Sequence, residues 1–402
     1  MLNRQQADEY TTMLDTDAIA GNATTLLPGE KGLNVPLSSG THYFNYYWLR
    51  DADPEAMDPA TRERVFDIAE IAGGPRASSA RLDGDSLLIN WATEEHESRL
   101  PLATLDAFVL EGRTPDPAAI PRRLWYADSH TNFSRFKQAE IESSDALRHD
   151  FSRALIEDGV ALVTEMENSD ESLTRLANQL GQVTPTTDGY YFDVRLEIAP
   201  TNLAYTARAL EFHTDLPSED EAPGIQFLHC RENSVVGGCS LFLDGAAAAE
   251  ALREEDPAAF ELLAHHEIPF FRRHDGWDYR AHQRVIELDR DGRVSGLTIS
   301  QHLQDAMDLP QSLLDDYYPA FCRFLSMLRE ERFVNRFRLE AGTCIVFDNH
   351  RVVHGREAFE ARSGKRHLRG CYVSRGSVRS TCRVLSRRLG QTSQVATSDA
   401  EH

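Results

Sequence analysis

The feature that most constrains this chain is a short pair, His213-x-Asp215, answered far downstream by His354. Residues two apart in an extended strand project to the same side, so His213 and Asp215 can converge on one point. A third group so distant in sequence has to come from another strand of the same barrel. The surrounding pattern agrees. Short strand candidates fall at 190–197, 224–230, 239–243, 269–272, 343–347 and 369–374, with helical spacing at 256–265 and 311–331. Many short strands with a few helices beside them predict a mainly β fold with flanking helices, a jelly-roll core and not a parallel sheet.

The 402 residues suffice for two domains. Residues 1–40 read as a lead-in with one possible helix, and the aromatic run 42–51 reads as strand. Strand candidates at 77–82, 86–91 and 97–101, broken by Asp83-Gly84-Asp85, predict a small antiparallel β domain over 1–112. A proline-rich acidic linker at 114–121 leads to a second domain over 113–402, onto which Trp125-Tyr126 docks it. That domain starts with a helix at 144–156, a buried strand at 159–163 and a helix at 170–180 stopped by Gly181.

Composition narrows the partners. A net charge of -22 argues against nonspecific binding to nucleic acid or to anionic membranes. The only lysines are Lys31, Lys137 and Lys365, a bias that fits either a GC-rich genome or salt adaptation. Residues 1–19 carry no secretory pattern, and no apolar run reaches the ~20 residues of a membrane span. The six cysteines form no C-x-x-C pair, which predicts buried free thiols in a cytoplasmic protein.

Two histidines and one carboxylate form the facial set that holds non-haem Fe(II) and leaves positions open for O2 and a cosubstrate. A His-x-Asp match is frequent by chance, and His265-His266, His274-Asp275 and His350 are rivals. Context favours the first set: Phe347-Asp348-Asn349 follows a strand, and His354-Gly355 opens a turn. Oxygen activation at such a centre needs electrons, which a chelating 2-oxo acid supplies by decarboxylating. Its far carboxylate calls for a planar two-pronged cation, and Arg366 is placed for that role, with Ser240 as a second donor. Alone, Arg366 also reads as a surface charge beside Arg362 and Lys365. Tyr190-Tyr191-Phe192 reads equally as strand core, Tyr46 to Trp48 as core or dimer interface, and His229, His302 and His367 as structural.

From about residue 42 to 385 the chain resembles the γ-butyrobetaine and trimethyllysine hydroxylases, a branch of the taurine dioxygenase-like Fe(II)/2-oxoglutarate oxygenases. The resemblance is carried by Trp48-Leu49-Arg50-Asp51, Asn202-Leu203-Ala204-Tyr205-Thr206, Phe212-His213-Thr214-Asp215-Leu216-Pro217 and Pro223 to Cys230. Gly237-Gly238, Phe347-Asp348-Asn349, His354-Gly355-Arg356, Arg366-His367-Leu368, Gly370 and Tyr372 continue it in order. It implies a double-stranded β-helix behind a small N-terminal β domain, usually in a homodimer. It implies His213, Asp215 and His354 as iron ligands, Arg366 on the 2-oxoglutarate carboxylate and Leu228 lining that pocket. It also implies Tyr205 and Tyr372 as walls of an aromatic cage for a trimethylammonium group, since ring faces attract a cation that cannot hydrogen-bond.

Three departures accompany it. The segment after Trp48-Leu49-Arg50-Asp51 has no cysteine, so the family's structural zinc is expected to be absent, with His96 at the position of one ligand. The other cage positions fall at Phe192, which keeps a ring, and Asp188, whose carboxylate suits a cation of smaller or protonated type. Ser300-Gln301 stand where the family meets the substrate carboxylate with two asparagines, and Asn202 joins the substrate set. The resulting expectation is a dioxygenase that hydroxylates a C–H bond of a small cationic metabolite, first a γ-butyrobetaine-like quaternary amine. The same cofactors acting on an amino acid or another biosynthetic intermediate, by hydroxylation, desaturation or cyclisation, is the alternative. A non-catalytic jelly-roll binding protein and a hydrolytic zinc enzyme are more distant ones.

Overall fold

Nearly every residue of the strand Ser86–Trp91 is buried, because it lies inside a four-stranded sheet ordered Thr24–Leu26, Ala77–Asp83, Ser86–Trp91, Glu97–Pro101. Leu87, Ile89 and Trp91 share one core with Leu33, Phe44, Tyr46 and Leu105. The computed structural model describes residues 24–112, 114–196 and 203–398. The chain divides into two compact units between Asp116 and Pro117, and this sheet belongs to the first.

Two expectations change in this unit. The lead-in supplies Thr24–Leu26 and a hairpin, Gly32–Leu37 with Gly40–Asn45, while any helix within residues 1–23 lies outside the described residues. The aromatic run is strand only to Asn45, and Tyr46–Asp51 is a helix. Asn45 explains the switch: its side chain accepts from the Tyr47 N–H at 2.8 Å and caps the helix. Past that helix the side chains pair with one another. Arg50 forks onto Glu94 at 2.8 and 3.1 Å and lies over the Phe66 ring at 3.7 Å. Buried Asp53 reaches His96 Nε2 at 2.6 Å. The unit ends in a helix, Leu102–Glu111, that sequence patterning had not separated from the strands.

In the second unit we number β1 (Arg135–Lys137), β2 (Val160–Thr164), β3 (Phe192–Arg195), β4 (Leu210–His213), β5 (Ile225–Asn233) and β6 (Ser240–Asp244). There follow β7 (Glu267–His274), β8 (Trp277–Arg284), β9 (Asn335–Phe337), β10 (Cys344–Asp348), β11 (Val352–Arg356) and β12 (Arg366–Val373). The larger sheet runs β3-β12-β5-β10-β2-β1, with Val183–Thr184 also pairing to β12, and the smaller runs β4-β11-β6-β9. Among the described residues, only β1 and β2 pair parallel. Leu228, Ile345 and Leu368 of the larger sheet meet Phe242 and Val352 of the smaller in one core, closed by Trp125 and Phe133. This is a mainly β unit with a site-forming interior between two sheets.

Helices cover the outer faces. Phe151 of α1 (Asp145–Glu157) and Leu173 of α2 (Asp170–Asn178) pack on Phe227 and Cys371 of the larger sheet. Beyond the smaller sheet, α3 (Gly245–Glu255), α4 (Pro257–His265) and α5 (Gln311–Met327) bury Leu252, Phe260 and Phe324 against Leu243 and Val353. Ser144 caps α1, its hydroxyl accepting from Leu147 N–H at 3.3 Å. The closing helix α6 (Arg375–Ser398) packs on α1. No helix among the described residues is long and apolar enough to cross a membrane.

Candidate metal centre and substrate cavity

His213 is the last residue of β4, and His354 lies opposite it in the β4–β11 ladder. Their rings are 4.2 Å apart. The His213 Nδ1 meets the Glu211 carbonyl at 2.8 Å, which turns Nε2 toward Asp215. Asp215 Oδ1 lies 3.3 Å from His213 Nε2 and 3.6 Å from His354 Nε2. These are the residues among those described whose donor atoms cluster as a metal site would require.

Strand alternation alone does not bring Asp215 here, because β4 stops at His213. Thr214 N–H donates to the Ile299 carbonyl at 2.6 Å, and the Thr214 hydroxyl lies between the Ile299 N–H and C=O. Asp215 N–H donates to Asn349 Oδ1 at 2.7 Å, and Asn349 Nδ2 donates back to the Asp215 carbonyl at 3.1 Å. The next residue, Leu216, has φ of 54°, a left-handed conformation rare for leucine that this frame holds in place. Asp215 Oδ2 accepts from the Tyr372 hydroxyl at 2.7 Å.

The donor set suits a divalent cation. Burial pushes the Asp215 carboxyl up, but the facing His354 and the bonds from His213 and Tyr372 outweigh it and hold Asp215 below the usual carboxylate range. Burial, then the neighbouring His213, push the His354 imidazole down to about 3. The site thus offers an anionic oxygen and a neutral imidazole. Donor spacings slightly above 3 Å match ligands on one face of an ion with bonds of ~2.1 Å.

A cavity of about 860 Å³, its mouth included, opens from the triad. Leu228, Ser240, Phe242, Leu368 and Arg366 are among its lining. Arg366, the first residue of β12, is 9% exposed, and its Nε has no hydrogen-bond partner. Burial pushes its guanidinium down to about 10, and among the described residues it forms no ion pair with a carboxylate. Arg356 lies near it and feels its repulsion. Sequence reading had placed Arg356 within a motif without giving it a task. It donates to the carbonyls of Ala204, Thr206 and Arg208 at 3.0, 2.7 and 2.6 Å, which ties down the segment bearing Tyr205.

Phe192, Tyr205 and Tyr372 also line the cavity. Phe192 stacks on Tyr372 at 5.3 Å. It can lie there because its register partner is Gly370: a Cβ at Gly370 would sit 2.2 Å from the Phe192 ring. Asp188 also lines the cavity, but it does not offer a free carboxylate. Arg272 of β7 forks onto it at 2.8 and 2.9 Å and neutralises it. Nothing local in the sequence announces this pair, whose members lie far apart in the chain. Ser300 is buried, bridges His213 through the backbone, and has its hydroxyl 3.4 Å from His302 Nδ1. Gln301 Oε1 accepts from Arg329 at 3.1 Å. In their place His302 and Leu303 line the cavity. Asn202 lies outside the described residues. His229 is fully buried on the other face of β5, and His367 pairs with Asp193 at 2.7 Å.

A mainly β unit whose two sheets bracket a His-Asp-His set and a buried arginine defines a class, and residues 126–372 match the profile described as taurine catabolism dioxygenase TauD, TfdA family. The chain belongs to that family. Its relatives include the gamma-butyrobetaine dioxygenase of Pseudomonas sp. (strain AK-1), 34% identical over 89% of this chain and 94% of that one. The Homo sapiens gamma-butyrobetaine dioxygenase is 28% identical over 85% of this chain and 91% of its own. The mitochondrial trimethyllysine dioxygenase of Rattus norvegicus is 26% identical over 89% and 86%. The protein is an enzyme, a 2-oxoglutarate-dependent dioxygenase.

Proposed function

We propose that the enzyme hydroxylates a C–H bond of a small metabolite bearing a quaternary or protonated amine, with γ-butyrobetaine the first candidate. One observation carries this reading: the triad, an arginine with no carboxylate partner among the described residues, and three aromatic rings open on the same cavity. His213, Asp215 and His354 would hold Fe(II), and Arg366 with Ser240 would hold the far carboxylate of 2-oxoglutarate above Leu228. Bound there, the iron supplies a redox centre at which O2 is reduced by electrons from 2-oxoglutarate decarboxylation. One oxygen atom enters succinate, carbon dioxide leaves, and the other oxygen enters the substrate as an alcohol.

The chain's own residues do the positioning. Asn349 and Tyr372 fix Asp215 so that Oδ1 faces the two imidazoles. A buried cation facing no anion is strongly unfavourable, so the Arg366 pocket favours an anionic occupant. Phe192, Tyr205 and Tyr372 would meet the ammonium head by their faces. We further propose a double-stranded β-helix core at 113–402, an N-terminal domain at 1–112 without structural zinc, a homodimer, and a cytoplasmic setting.

The Asp188–Arg272 pair favours a second reading, in which the same cofactors act on an amino acid or related intermediate, because this wall presents no net negative charge to a cation. The test is succinate release by the purified enzyme with Fe(II), 2-oxoglutarate and O2, screened over γ-butyrobetaine, N-trimethyllysine and amino acids. Turnover driven by a quaternary amine, with a product heavier by one oxygen, is the expected result. Amino-acid-driven turnover alone would establish the second reading. Full loading with iron and 2-oxoglutarate but no amine response would sink the first.

A further inference from the structure

Arg272 is 7% exposed, yet it lines the cavity used by the aromatic rings. Its fork onto Asp188 and a 3.0 Å bond to the Thr187 hydroxyl use three of the five N–H groups of a guanidinium. Trp277, also of the β7–β8 hairpin, stands 5.2 Å from it. The cage therefore has three ring walls and one wall made of an ion pair.

The composition of that wall has consequences. A lone Asp188 would attract any cation, and at short range in a sheltered site charge–charge attraction exceeds what a ring face provides. Arg272 cancels that attraction, leaving a neutral pair on this wall. The N–H groups it has left can donate to an anionic group. A bare cation thus gains only the rings, whereas a cation that carries its own acid group gains the rings and those donors.

We propose that Arg272 is a specificity-determining residue, which with Asp188 makes the cavity discriminate against purely cationic ligands and favour those bearing an acid group. This rests on the dioxygenase reading above and names the substrate class for the same site. A simpler role is also written into the contacts: the pair latches the β7–β8 hairpin to the Thr187–Asp188 turn. The two roles differ in sign, because a latch lost from either side weakens every ligand alike.

The experiment uses full-length enzyme loaded with Mn(II) and 2-oxoglutarate. Binding is measured by calorimetry for γ-butyrobetaine, for butyltrimethylammonium, which lacks the acid group, and for 5,5-dimethylhexanoate, which lacks the charge on the head. The wild type is expected to bind butyltrimethylammonium at least about tenfold more weakly than γ-butyrobetaine. Arg272→Gln keeps a donor for Asp188 and is expected to tighten butyltrimethylammonium while weakening 5,5-dimethylhexanoate. Asp188→Asn leaves the guanidinium uncancelled and is expected to do the reverse, each shift on the order of tenfold. Parallel losses for both probes in both variants, with normal loading, would overturn the selectivity role and leave the latch. Failure of the wild type to take up Mn(II) and 2-oxoglutarate would overturn the dioxygenase site itself, and the selectivity role with it. Should one variant fail to fold, the other variant's sign against the two probes still decides.

Discussion

Asp215 is held from three directions in the protein alone: its N–H and carbonyl by Asn349, and its Oδ2 by Tyr372. Groups that orient a metal ligand commonly change metal affinity ~10–100-fold when removed. Asn349→Ala is therefore expected to weaken Mn(II) binding, read by electron paramagnetic resonance, within that range. Tyr372→Phe keeps the ring against Phe192 and removes the hydroxyl, so it is expected to weaken Mn(II) more than it raises KM for the amine. Arg366→Met removes a charged two-pronged donor, and its expected signature is a KM for 2-oxoglutarate raised roughly thirtyfold, with the amine KM little changed. The triad was legible in the sequence because the ordered stretches around His213, Asp215 and His354 set it apart from rivals such as His274-Asp275. Asn349 lay in a recognised stretch, but its clamp on Asp215 depends on a turn that no local pattern encodes.

The first unit shows what an element can do by pairing. After the Tyr46–Asp51 helix, Arg50, Asp53, Glu94 and His96 tie the helix exit to the segment ahead of Glu97–Pro101. Asp53 and Arg50 have side chains only 1% and 7% exposed, so removing one partner leaves a buried charge poorly matched. Asp53→Ala is expected to destabilise this unit by about 3 kcal/mol in urea unfolding, while EDTA leaves the unit's melting unchanged. A large EDTA effect there would mean that a metal contributes after all. Short elements were the least legible from sequence. The Tyr46–Asp51 helix sat inside a strand-like aromatic run although its cap, Asn45, was in plain view. The α6 helix went unread although Val378, Cys382 and Leu385 recur at helical spacing and are buried. Strands of the larger sheet were the most legible, because β10 is an apolar run and β5 and β12 carry the apolar clusters Phe227-Leu228 and Cys371-Tyr372-Val373.

For the molecule as a whole, a net charge of -22 means that the folded chain repels itself. Salt screens that repulsion, so the melting temperature is expected to rise from ~10 mM to ~1 M NaCl in calorimetry. Acid acts the other way. Burial pushes His229 down to about 4, below the ordinary 6.5. The unfolded chain takes up this proton first, so stability is full above pH 6.5 and falls as pH drops through about 4. His229 has neither ring nitrogen bonded and lies on the sheet face away from the cavity. His229→Leu should accordingly lose less melting temperature between pH 7 and pH 5 than the wild type. The mainly β character and the His213-x-Asp215 pair were legible in short-range patterns; the charge of the cavity wall was not, since Asp188 and Arg272 meet only in three dimensions. The β4–β11 pairing carries one more consequence. Because His213 and His354 are opposite rungs of a single ladder, their spacing is set by that pairing and by the core strands β5, β6 and β10 that lie between them in the chain. The β7–β8 hairpin is a two-stranded sheet of its own that brings Arg272 to the cavity, so a substitution there can change selectivity while the ladder keeps the spacing of the two histidines.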